Sequence, residues 1–569
     1  MPSQTVMNTS ISHTTHPQVR LLVQLFQAAG LRNAVLSPGS RNAPIAEELT
    51  ASPLRCFSVV DERSAAFFAL GLSKEEGLPA VVACTSGSAV LNYYPAVAEA
   101  YYSRIPLIVV SADRPTDWID QAIGQTIRQG RVLASHTVYN TTLHEGDDPQ
   151  TAWYNRREIS TAIRSALRES APVHINIPLS EPLYQTIDLP EGEPAWILTQ
   201  EPVTATTLSS ESRENILRLW QESRRKMILV GASRQSETLE KILRQLARES
   251  DTVVLCETTS NLHGEDFFEH IDRIILPLPP DTASTLYPDL LITCGGMVVS
   301  KKIKTFLKAA TPRHHLHVSP YTWPDTYMAL THRIPMSGEE FLPLLCGTES
   351  SSEGYLRAWK QLDQKQERAH REYCQRAPYS DFKVWELLSR ALPPHTHLEV
   401  ANSAAIRYNQ LFPLPQGVTV SCNRGTSGID GSTSTAVGAA VALSPRPVTL
   451  VSGDLAFLYD NNALWNDHIP ADMRIVVINN GGGGIFRILN GARTSPICSR
   501  YLQAAHRKSI EPLARLHDWE YRAADDTESL REALRDFWKP SSRPRMLEVF
   551  TREEDNDEVL RGYFSYLSE

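Results

Sequence analysis

Short, continuously apolar segments alternate with helical segments along this chain, and this alternation restricts the possible folds more than any other feature. Apolar strands that alternate with helices are typical of parallel sheets covered on both faces. One series includes PLIVVSADRP at 106–115, a second starts with RKMILVGAS at 225–233, and a third starts with DFKVWELLSRALPP at 381–394. The sequence therefore predicts an α/β protein of three doubly wound domains with mainly parallel sheets.

The domain boundaries are expected where this rhythm is interrupted. The Pro-, Glu- and Thr-rich segment IDLPEGEPAWILTQEPVTATT at 187–207 predicts a linker, and the charged segment 351–375 predicts a solvated helix that bridges domains. A chain of 569 residues is too long for one ordinary domain. We predict a first domain over 1–190, a central α/β domain with linkers over 191–375, and a third domain over 376–569.

Charge and composition exclude several classes of protein. Lysines and arginines number 56 against 65 acidic residues, and a net charge of −9 disfavours nucleic acid as a partner. No apolar run approaches the roughly 18 residues of a membrane-spanning helix, and the polar first eighteen residues resemble a frayed tail rather than a secretory signal. The eight cysteines form no CxxC pair, which favours reduced core thiols. These features predict a cytoplasmic protein without a membrane span.

Polar, basic and glycine-rich residues follow the predicted strands. Ligands of open parallel sheets bind at the carboxyl ends of the strands, so these residues are candidates for a binding site. The strand-end segments are SPGSR at 37–41, ADRP at 112–115, ANS at 401–403, NRG at 423–425, SGD at 452–454 and NNGGGG at 479–484.

Two of these segments together predict a divalent-cation site. Asp454 ends one strand and Asn480 follows the next, 26 residues later. Carboxylate, amide and backbone carbonyl oxygens, completed by diphosphate oxygens, suit octahedral magnesium. The alternative is that Asp454 caps a helix and the asparagines form a turn.

The same spacing resembles the diphosphate-binding motif of thiamine-diphosphate enzymes, in which GDG is followed by NN. Here the motif is Gly453-Asp454-Leu455. Five further segments narrow the resemblance to the 2-succinyl-5-enolpyruvyl-6-hydroxy-3-cyclohexene-1-carboxylate synthases of menaquinone biosynthesis: SPGSRNAP at 37–44, DERSAAFFALGLSK at 61–74, TSGSAVLNYYPAVAEAYYSRIPLIVVSADRP at 85–115, GQTIRQ at 124–129 and NRGTSGIDGSTSTAVGAA at 423–440. The resemblance covers the first and third domains and implies a thiamine-diphosphate-binding fold with pyrimidine-binding, central and diphosphate-binding domains.

The resemblance also implies a reaction and its cofactors. With thiamine diphosphate and Mg²⁺ or Mn²⁺, such a transferase decarboxylates 2-oxoglutarate and adds the succinyl group to isochorismate, releasing CO2. Glu62 is the implied catalytic residue, because a glutamate at this place hydrogen-bonds the cofactor's aminopyrimidine; alone, Glu62 would be read as a carboxylate favoured by a helix N-terminus.

The remaining implied contacts form three sets. The substrate contacts are Arg41, Arg114, Gln125, Lys301, Ser403 and Arg407. The cofactor contacts are Ser40, Glu62, Arg424, Gly453, Asp454, Leu455, Asn480, Gly482, Ile485 and Phe486, and the metal ligands are Asp454, Asn480 and Gly482. The roles of Gly124, Lys302 and His263 stay open.

Enzymes of this type place the glutamate and the metal ligands of one active site on two subunits, so the resemblance implies a homodimer or homotetramer. Three alternatives remain. One is another carboligase or decarboxylase of the acetohydroxyacid-synthase type, acting on smaller 2-oxo acids. The second is an inactive scaffold that binds the cofactor. The third is a dinucleotide-dependent oxidoreductase, which the missing GxGxxG motif disfavours.

Overall fold

The structure, a computed structural model, describes residues 12–188, 196–201, 206–348, 354–488, 492 and 494–569. Three parallel sheets, each flanked by helices, are present among these residues. This arrangement confirms the predicted fold class. None of the helices in the described ranges combines the length and the apolar character that crossing a membrane requires.

The first sheet is built by the N-terminal part of the chain. Its strand order is β3-β2-β4-β5-β7-β6, all neighbours being parallel, and β1 pairs with β8 in an antiparallel ribbon. The elements are β1 (Ser12–Thr14), α1 (Pro17–Ala28), β2 (Asn33–Leu36), α2 (Ala43–Thr50), β3 (Arg55–Ser58), α3 (Glu62–Glu76), β4 (Ala80–Cys84), α4 (Ala89–Asn92), α5 (Tyr94–Ser103), β5 (Leu107–Asp113), β6 (Tyr139–Thr142), α6 (Pro149–Glu169), β7 (Val173–Pro178) and β8 (Thr186–Asp188).

The second sheet has the order β10-β9-β11-β12-β13 and is also parallel. The elements of this part are α7 (Ser210–Glu222), β9 (Lys226–Val230), α8 (Glu237–Glu249), β10 (Val253–Cys256), α9 (Ile271–Ile275), α10 (Pro280–Thr285), β11 (Leu290–Cys294), α11 (Lys301–Ala310), β12 (His314–Val318), β13 (His332–Ile334) and α12 (Gly338–Phe341).

The third sheet has the order β15-β14-β16-β17-β19-β18. Its part of the chain contains α13 (Tyr355–Arg376), α14 (Asp381–Ala391), β14 (His397–Val400), α15 (Ala404–Asn409), β15 (Thr419–Ser421), α16 (Ser432–Leu443), β16 (Val448–Gly453), α17 (Asp454–Tyr459), β17 (Arg474–Asn479), α18 (Ile485–Ile488), α19 (Glu511–Leu516), β18 (Glu520–Ala524), α20 (Thr527–Phe537), β19 (Arg545–Phe550) and α21 (Glu553–Ser568).

The first and third sheets share one topology. Counted along the chain, the strands of each follow the order 2-1-3-4-6-5. The direction of winding reverses between β2 and β4 in one sheet and between β14 and β16 in the other, and such reversals open the crevice where doubly wound folds bind ligands. The predicted site segments 37–41, 401–403 and 452–454 lie at the ends of β2, β14 and β16.

The contacts of the chain divide it into two compact units. The first consists of Met1–Pro202, Gly425–Pro445 and Asp460–Pro470, and the second of Val203–Arg424, Arg446–Tyr459 and Ala471–Glu569. The first unit therefore contains the first sheet together with α16, and the second unit contains the other two sheets. The domain boundaries inferred from the sequence, near 190 and 375, stay a prediction.

Helices α3 and α16 approach closely inside the first unit because each carries a glycine at the contact. A β-carbon at Gly71 would lie 2.2 Å from the carbonyl oxygen of Thr435, and one at Gly438 would lie 2.1 Å from that of Phe68. Both distances are far below van der Waals contact, so no larger residue fits without separating the helices.

The N-terminal and linker predictions are partly wrong. Residues 1–11 of the expected tail lie outside the described residues, but Ser12–Thr14 form β1, and the buried Thr14 donates its N–H to Glu48 (3.3 Å). The partner strand β8 falls at the start of the expected linker, of which 189–195 and 202–205 also lie outside the described residues. Backbone pairing of the ribbon orders polar segments that carry no apolar signal.

Helix α13, expected to be solvated, has a buried face. Trp359 is fully buried, and His370 and Cys374 are buried as well. These widely spaced positions pack on the core of the second unit. They were not recognised in the sequence because charged residues separate them. All eight cysteines are free in the structure, and five of them are buried, as expected of core thiols.

Candidate active site

Asp454 directly follows β16 and is the first residue of α17. Its side chain is buried, and its Oδ2 accepts the backbone N–H groups of Gly481 and Gly482, both at 2.9 Å. Oδ1 accepts the N–H of Leu455 at 2.6 Å. Burial raises the pKa of Asp454 to about 7, although the N–H groups oppose this shift. The structure thus brings the GD and NN segments together, as the sequence predicted.

The glycine run after β17 has a backbone that other residues rarely adopt. Gly481 has φ +79° and Gly482 has φ +148°. A β-carbon at Gly482 would also lie 2.8 Å from the carbonyl oxygen of Gln503. These conformations aim two successive N–H groups at the Asp454 carboxylate, which explains why glycines stand here.

Asn480 directly precedes the glycines that donate to Asp454, and only one end of its side-chain amide is hydrogen-bonded to a described residue. Its Nδ2 donates to Oδ2 of Asp381 at 2.9 Å. Its Oδ1 is buried and has no hydrogen-bond partner among the described residues. A buried acceptor without a partner costs free energy, and a cation would satisfy it.

The other asparagine of the pair is held by a second buried carboxylate. Nδ2 of Asn479 donates to Glu548 at 2.6 Å, and Oδ1 of Asn479 accepts the N–H of Gly481 at 3.2 Å. Sequence reasoning missed both Asp381 and Glu548. The only signal for Glu548 was an acid inside the apolar strand RMLEVF, and Asp381 looked like an ordinary acid in the first turn of α14.

A cavity of about 570 Å³ in the second unit joins several predicted contacts. Lys301, Arg407 and Ile485 line it together with Lys302 and Asp272. The C-terminal helix α21, which sequence reasoning did not connect with the site, also lines the cavity; its lining residues are Leu560, Arg561, Phe564, Ser565 and Ser568. The cavity therefore combines cationic groups with an apolar wall.

Arg407 and Ser403 are coupled at the start of α15. Nη1 of Arg407 donates to the carbonyl oxygen of Ser403 at 2.6 Å, and Ser403 has φ +74° and ψ −126°, a conformation unusual for a residue with a side chain. Burial, followed by the nearby positive charge of Arg424, lowers the pKa of Arg407. Arg424 itself donates to Oδ1 of Asn402 at 2.8 Å. Two guanidinium groups held near each other favour a multiply charged anion.

Glu62 is the first residue of α3 in the first unit. The preceding residue, Asp61, caps the helix by accepting the N–H of Ser64 at 3.0 Å. Glu62 is half-buried, and this burial raises the pKa of its carboxyl group. A carboxyl group with a raised pKa is suited to sharing a proton with a ring nitrogen.

Among the other predicted contacts of the first unit, Arg41 already forms hydrogen bonds within the protein, whereas other side chains are exposed or have a polar atom without a described partner. Arg41 is buried and donates to the Leu179 carbonyl at 2.8 Å and to Glu181 at 3.2 Å. Arg114 is partly buried, and its Nε is buried without a partner among the described residues. Gln125 and Ser40 are exposed, and Gln125 has φ +56°.

Three further residues belong to the predicted cofactor contacts, and three others are residues to which the sequence assigned no definite role. Gly453 ends β16 with open space where a β-carbon would lie, the N–H of Leu455 donates to Asp454, and the Phe486 ring lies against Gly483. His263 binds Glu269 at 3.0 Å, whereas Gly124 lies in an exposed loop and Lys302 lines the cavity. The predicted site residues thus fall into two groups, one in each compact unit.

Comparisons with known proteins agree with this assignment of the two sheets. Residues 18–132 match the family described as thiamine pyrophosphate enzyme, N-terminal TPP binding domain, and residues 402–549 match its C-terminal TPP binding domain. The matched segments contain Glu62 on one side and Asp454 and Asn480 on the other.

Curated relatives match over nearly the whole chain. The 2-succinyl-5-enolpyruvyl-6-hydroxy-3-cyclohexene-1-carboxylate synthase of Flavobacterium johnsoniae is 43% identical, covering 97% of this chain and 100% of the relative. The synthases of the same name from Christiangramia forsetii and Porphyromonas gingivalis are 42% and 37% identical, covering 97% of this chain and 99% and 97% of the relatives. The chain therefore belongs to the 2-succinyl-5-enolpyruvyl-6-hydroxy-3-cyclohexene-1-carboxylate synthase family of thiamine-diphosphate enzymes.

Proposed function

We propose that this enzyme decarboxylates 2-oxoglutarate and adds the resulting succinyl group to isochorismate by 1,4-addition, forming the product that names its family. The observation that carries the choice of substrates is the cationic cavity with Lys301, Lys302 and Arg407 in its lining. Both proposed substrates are dicarboxylates, and a chain of net charge −9 needs local cations to bind them. An enzyme for smaller 2-oxo acids would not need this set of cations.

The residues at the end of β16 and β17 fit a divalent cation, Mg²⁺ or Mn²⁺, that would hold the cofactor's diphosphate. The fit is supported by the Oδ1 of Asn480, which has no partner within the described ranges, and by the buried Asp454 carboxylate. Both are hard oxygen ligands of the kind these cations prefer. The family resemblance adds Gly482, through its carbonyl oxygen, as the third protein ligand.

Thiamine diphosphate, when bound, supplies the nucleophilic carbon and the electron sink that decarboxylation of a 2-oxo acid requires. Glu62 would hold a proton between its carboxyl group and the pyrimidine ring nitrogen, which its raised pKa favours. Arg407 would bind a substrate carboxylate through the part of its guanidinium group that is not committed to Ser403. The apolar side chains Leu560 and Phe564 would exclude water from the same cavity.

The family resemblance further supports a cytoplasmic homodimer or homotetramer with active sites at the subunit interface. Light scattering on the purified protein tests this part, and an active monomer would contradict it.

The function itself is tested by incubating the purified protein with thiamine diphosphate, Mg²⁺, 2-oxoglutarate and isochorismate. We expect isochorismate to be consumed with release of CO2. Pyruvate in place of 2-oxoglutarate is the control, because it lacks the second carboxylate. No consumption, or equal activity with pyruvate, would refute the proposed substrates and favour the acetohydroxyacid-synthase type of reaction.

A further inference from the structure

The side chain of Asn480 is oriented by a residue that lies 99 positions away in the sequence. Nδ2 of Asn480 donates to Oδ2 of Asp381 at 2.9 Å, while Oδ1 of Asn480 stays without a partner among the described residues. An amide group can turn over and exchange its oxygen and nitrogen at almost no steric cost. The identity of the neighbouring group therefore decides whether the oxygen or the nitrogen of the Asn480 amide is left to face the proposed cation site.

Burial raises the pKa of Asp381, and the hydrogen bonds from Thr551, Asn480 and Asn556 oppose this shift. In its ionised form an aspartate is an unambiguous partner for this purpose, because it accepts hydrogen bonds and donates none. Turning the Asn480 amide over would bring its oxygen against the Asp381 carboxylate, and the two acceptors would repel. It would also aim the NH2 group, a donor with partial positive charge, at the position of the proposed cation. Asp381 thus favours the one orientation in which Asn480 can be a metal ligand.

Asp381 is itself fixed from several sides. It is buried, and its Oδ1 accepts hydrogen bonds from Oγ1 of Thr551 at 2.6 Å and from Nδ2 of Asn556 at 3.0 Å. Its backbone N–H donates to Oδ1 of Asn556 at 2.7 Å. These bonds leave Oδ2 directed at Asn480, so the carboxylate cannot rotate away without breaking them.

We propose that Asp381 is a positioning residue for the divalent cation: it holds the Asn480 amide with its oxygen toward the metal. The proposal rests on the proposed cation site and adds a residue that does not contact the metal. Loss of a partner that orients a metal ligand typically lowers metal affinity by about 10- to 100-fold. We expect a loss of this size for Asp381→Asn, whose amide can present either a donor or an acceptor to Asn480.

The test is a titration of the full-length protein with Mn²⁺ in the presence of thiamine diphosphate and without substrates, with free Mn²⁺ measured by electron paramagnetic resonance. Asp381→Asn, Asn480→Ala and the double variant form a cycle. If Asp381 acts through Asn480, each single variant weakens Mn²⁺ binding, and Asp381→Asn causes no further loss in the Asn480→Ala background. A structural role would instead give additive losses, and this result would overturn the proposal.

Glu548→Gln is the matched control, because Glu548 is a buried carboxylate that holds the neighbouring Asn479 instead of Asn480. We expect a smaller loss of Mn²⁺ affinity in Glu548→Gln than in Asp381→Asn; an equal or larger loss would overturn the proposal.

If Asp381→Asn does not fold, Thr551→Val replaces this variant, since Thr551→Val keeps the Asp381 carboxylate and removes one hydrogen bond that fixes the carboxylate. Thr551→Val should then weaken Mn²⁺ binding, and an unchanged affinity would overturn the proposal. Absence of Mn²⁺ binding in the unaltered protein would refute the cation site itself.

Discussion

Replacing Arg407 by methionine should separate substrate binding from folding. The substitution keeps an apolar stem in the cavity and removes the guanidinium group beside Lys301 and Lys302. A hydrogen bond to a charged group contributes about 1.5–3 kcal/mol, so losing one to a substrate carboxylate should lower kcat/KM by about 10- to 150-fold. Steady-state kinetics with each dicarboxylate varied in turn would show the loss, as a raised KM for at least one of them.

The stability of the same variant should not fall in parallel. Burial and the neighbouring charge of Arg424 both lower the pKa of Arg407, which shows that its environment disfavours the cation. Removing the charge relieves this cost and offsets the lost bond to the Ser403 carbonyl. We therefore expect a Tm equal to or above that of the unaltered protein, measured by calorimetry.

Two further variants show how much of the lost activity depends on the guanidinium group of Arg407. Arg407→Lys keeps the charge without the planar fork and should lose less activity than Arg407→Met. Lys301→Met removes an exposed charge at the same cavity, whose contribution of about 0–1 kcal/mol limits the loss to about fivefold. The reasoning is refuted if Arg407→Met leaves both KM values unchanged, or if its activity falls only together with its Tm.

Three other predictions concern the first compact unit. Glu62→Gln should slow exchange of the proton on the reactive carbon of bound thiamine diphosphate by about 10²- to 10⁴-fold, measured by quenched-flow NMR; exchange at the original rate would remove Glu62 from the mechanism. Gly71→Ala should lower the free energy of unfolding by about 1–3 kcal/mol in a urea titration, because its β-carbon would lie 2.2 Å from the Thr435 carbonyl oxygen, and an unchanged midpoint would contradict this packing. Burial raises the pKa of Asp460 from 3.8 to about 7, so the folded state retains a proton that the unfolded state loses between these values. Stability relative to Asp460→Asn should therefore fall by roughly 4 kcal/mol from pH 4 to pH 7, and a difference independent of pH would show that Asp460 does not titrate in this range.

The strands and their ends could be predicted from the sequence because these features are local. A strand buried on both faces carries a continuous apolar run, such as LIVV in β5 and IVVI in β17. The polar segment after each such run marks the ligand-binding edge of a parallel sheet. The proximity of Asp454 to the glycine run followed from this rule, because β16 and β17 are parallel neighbours.

Other elements were missed or misread from the sequence. Strands β3, β6, β13, β18 and β19 were not predicted, and the buried face of α13 was hidden among its charges. The lining of the cavity by α21 depends on packing between distant parts of the chain, which apolar periodicity alone does not identify. The close pairing of α3 with α16 depends on two glycines that a helix would by itself disfavour.

The sequence by itself determined the fold class, the family and the identities of the oxygen and guanidinium groups, because these depend on residue type and on order along the chain. Only the tertiary structure decided which groups are free to bind a ligand. Arg41 binds Glu181, whereas Asp381 binds the nitrogen of the Asn480 amide and leaves its oxygen without a partner in the part of the chain that the structure describes. Buried polar groups form hydrogen bonds with whichever groups folding brings next to them, and the separation of the two partners along the sequence does not restrict this choice.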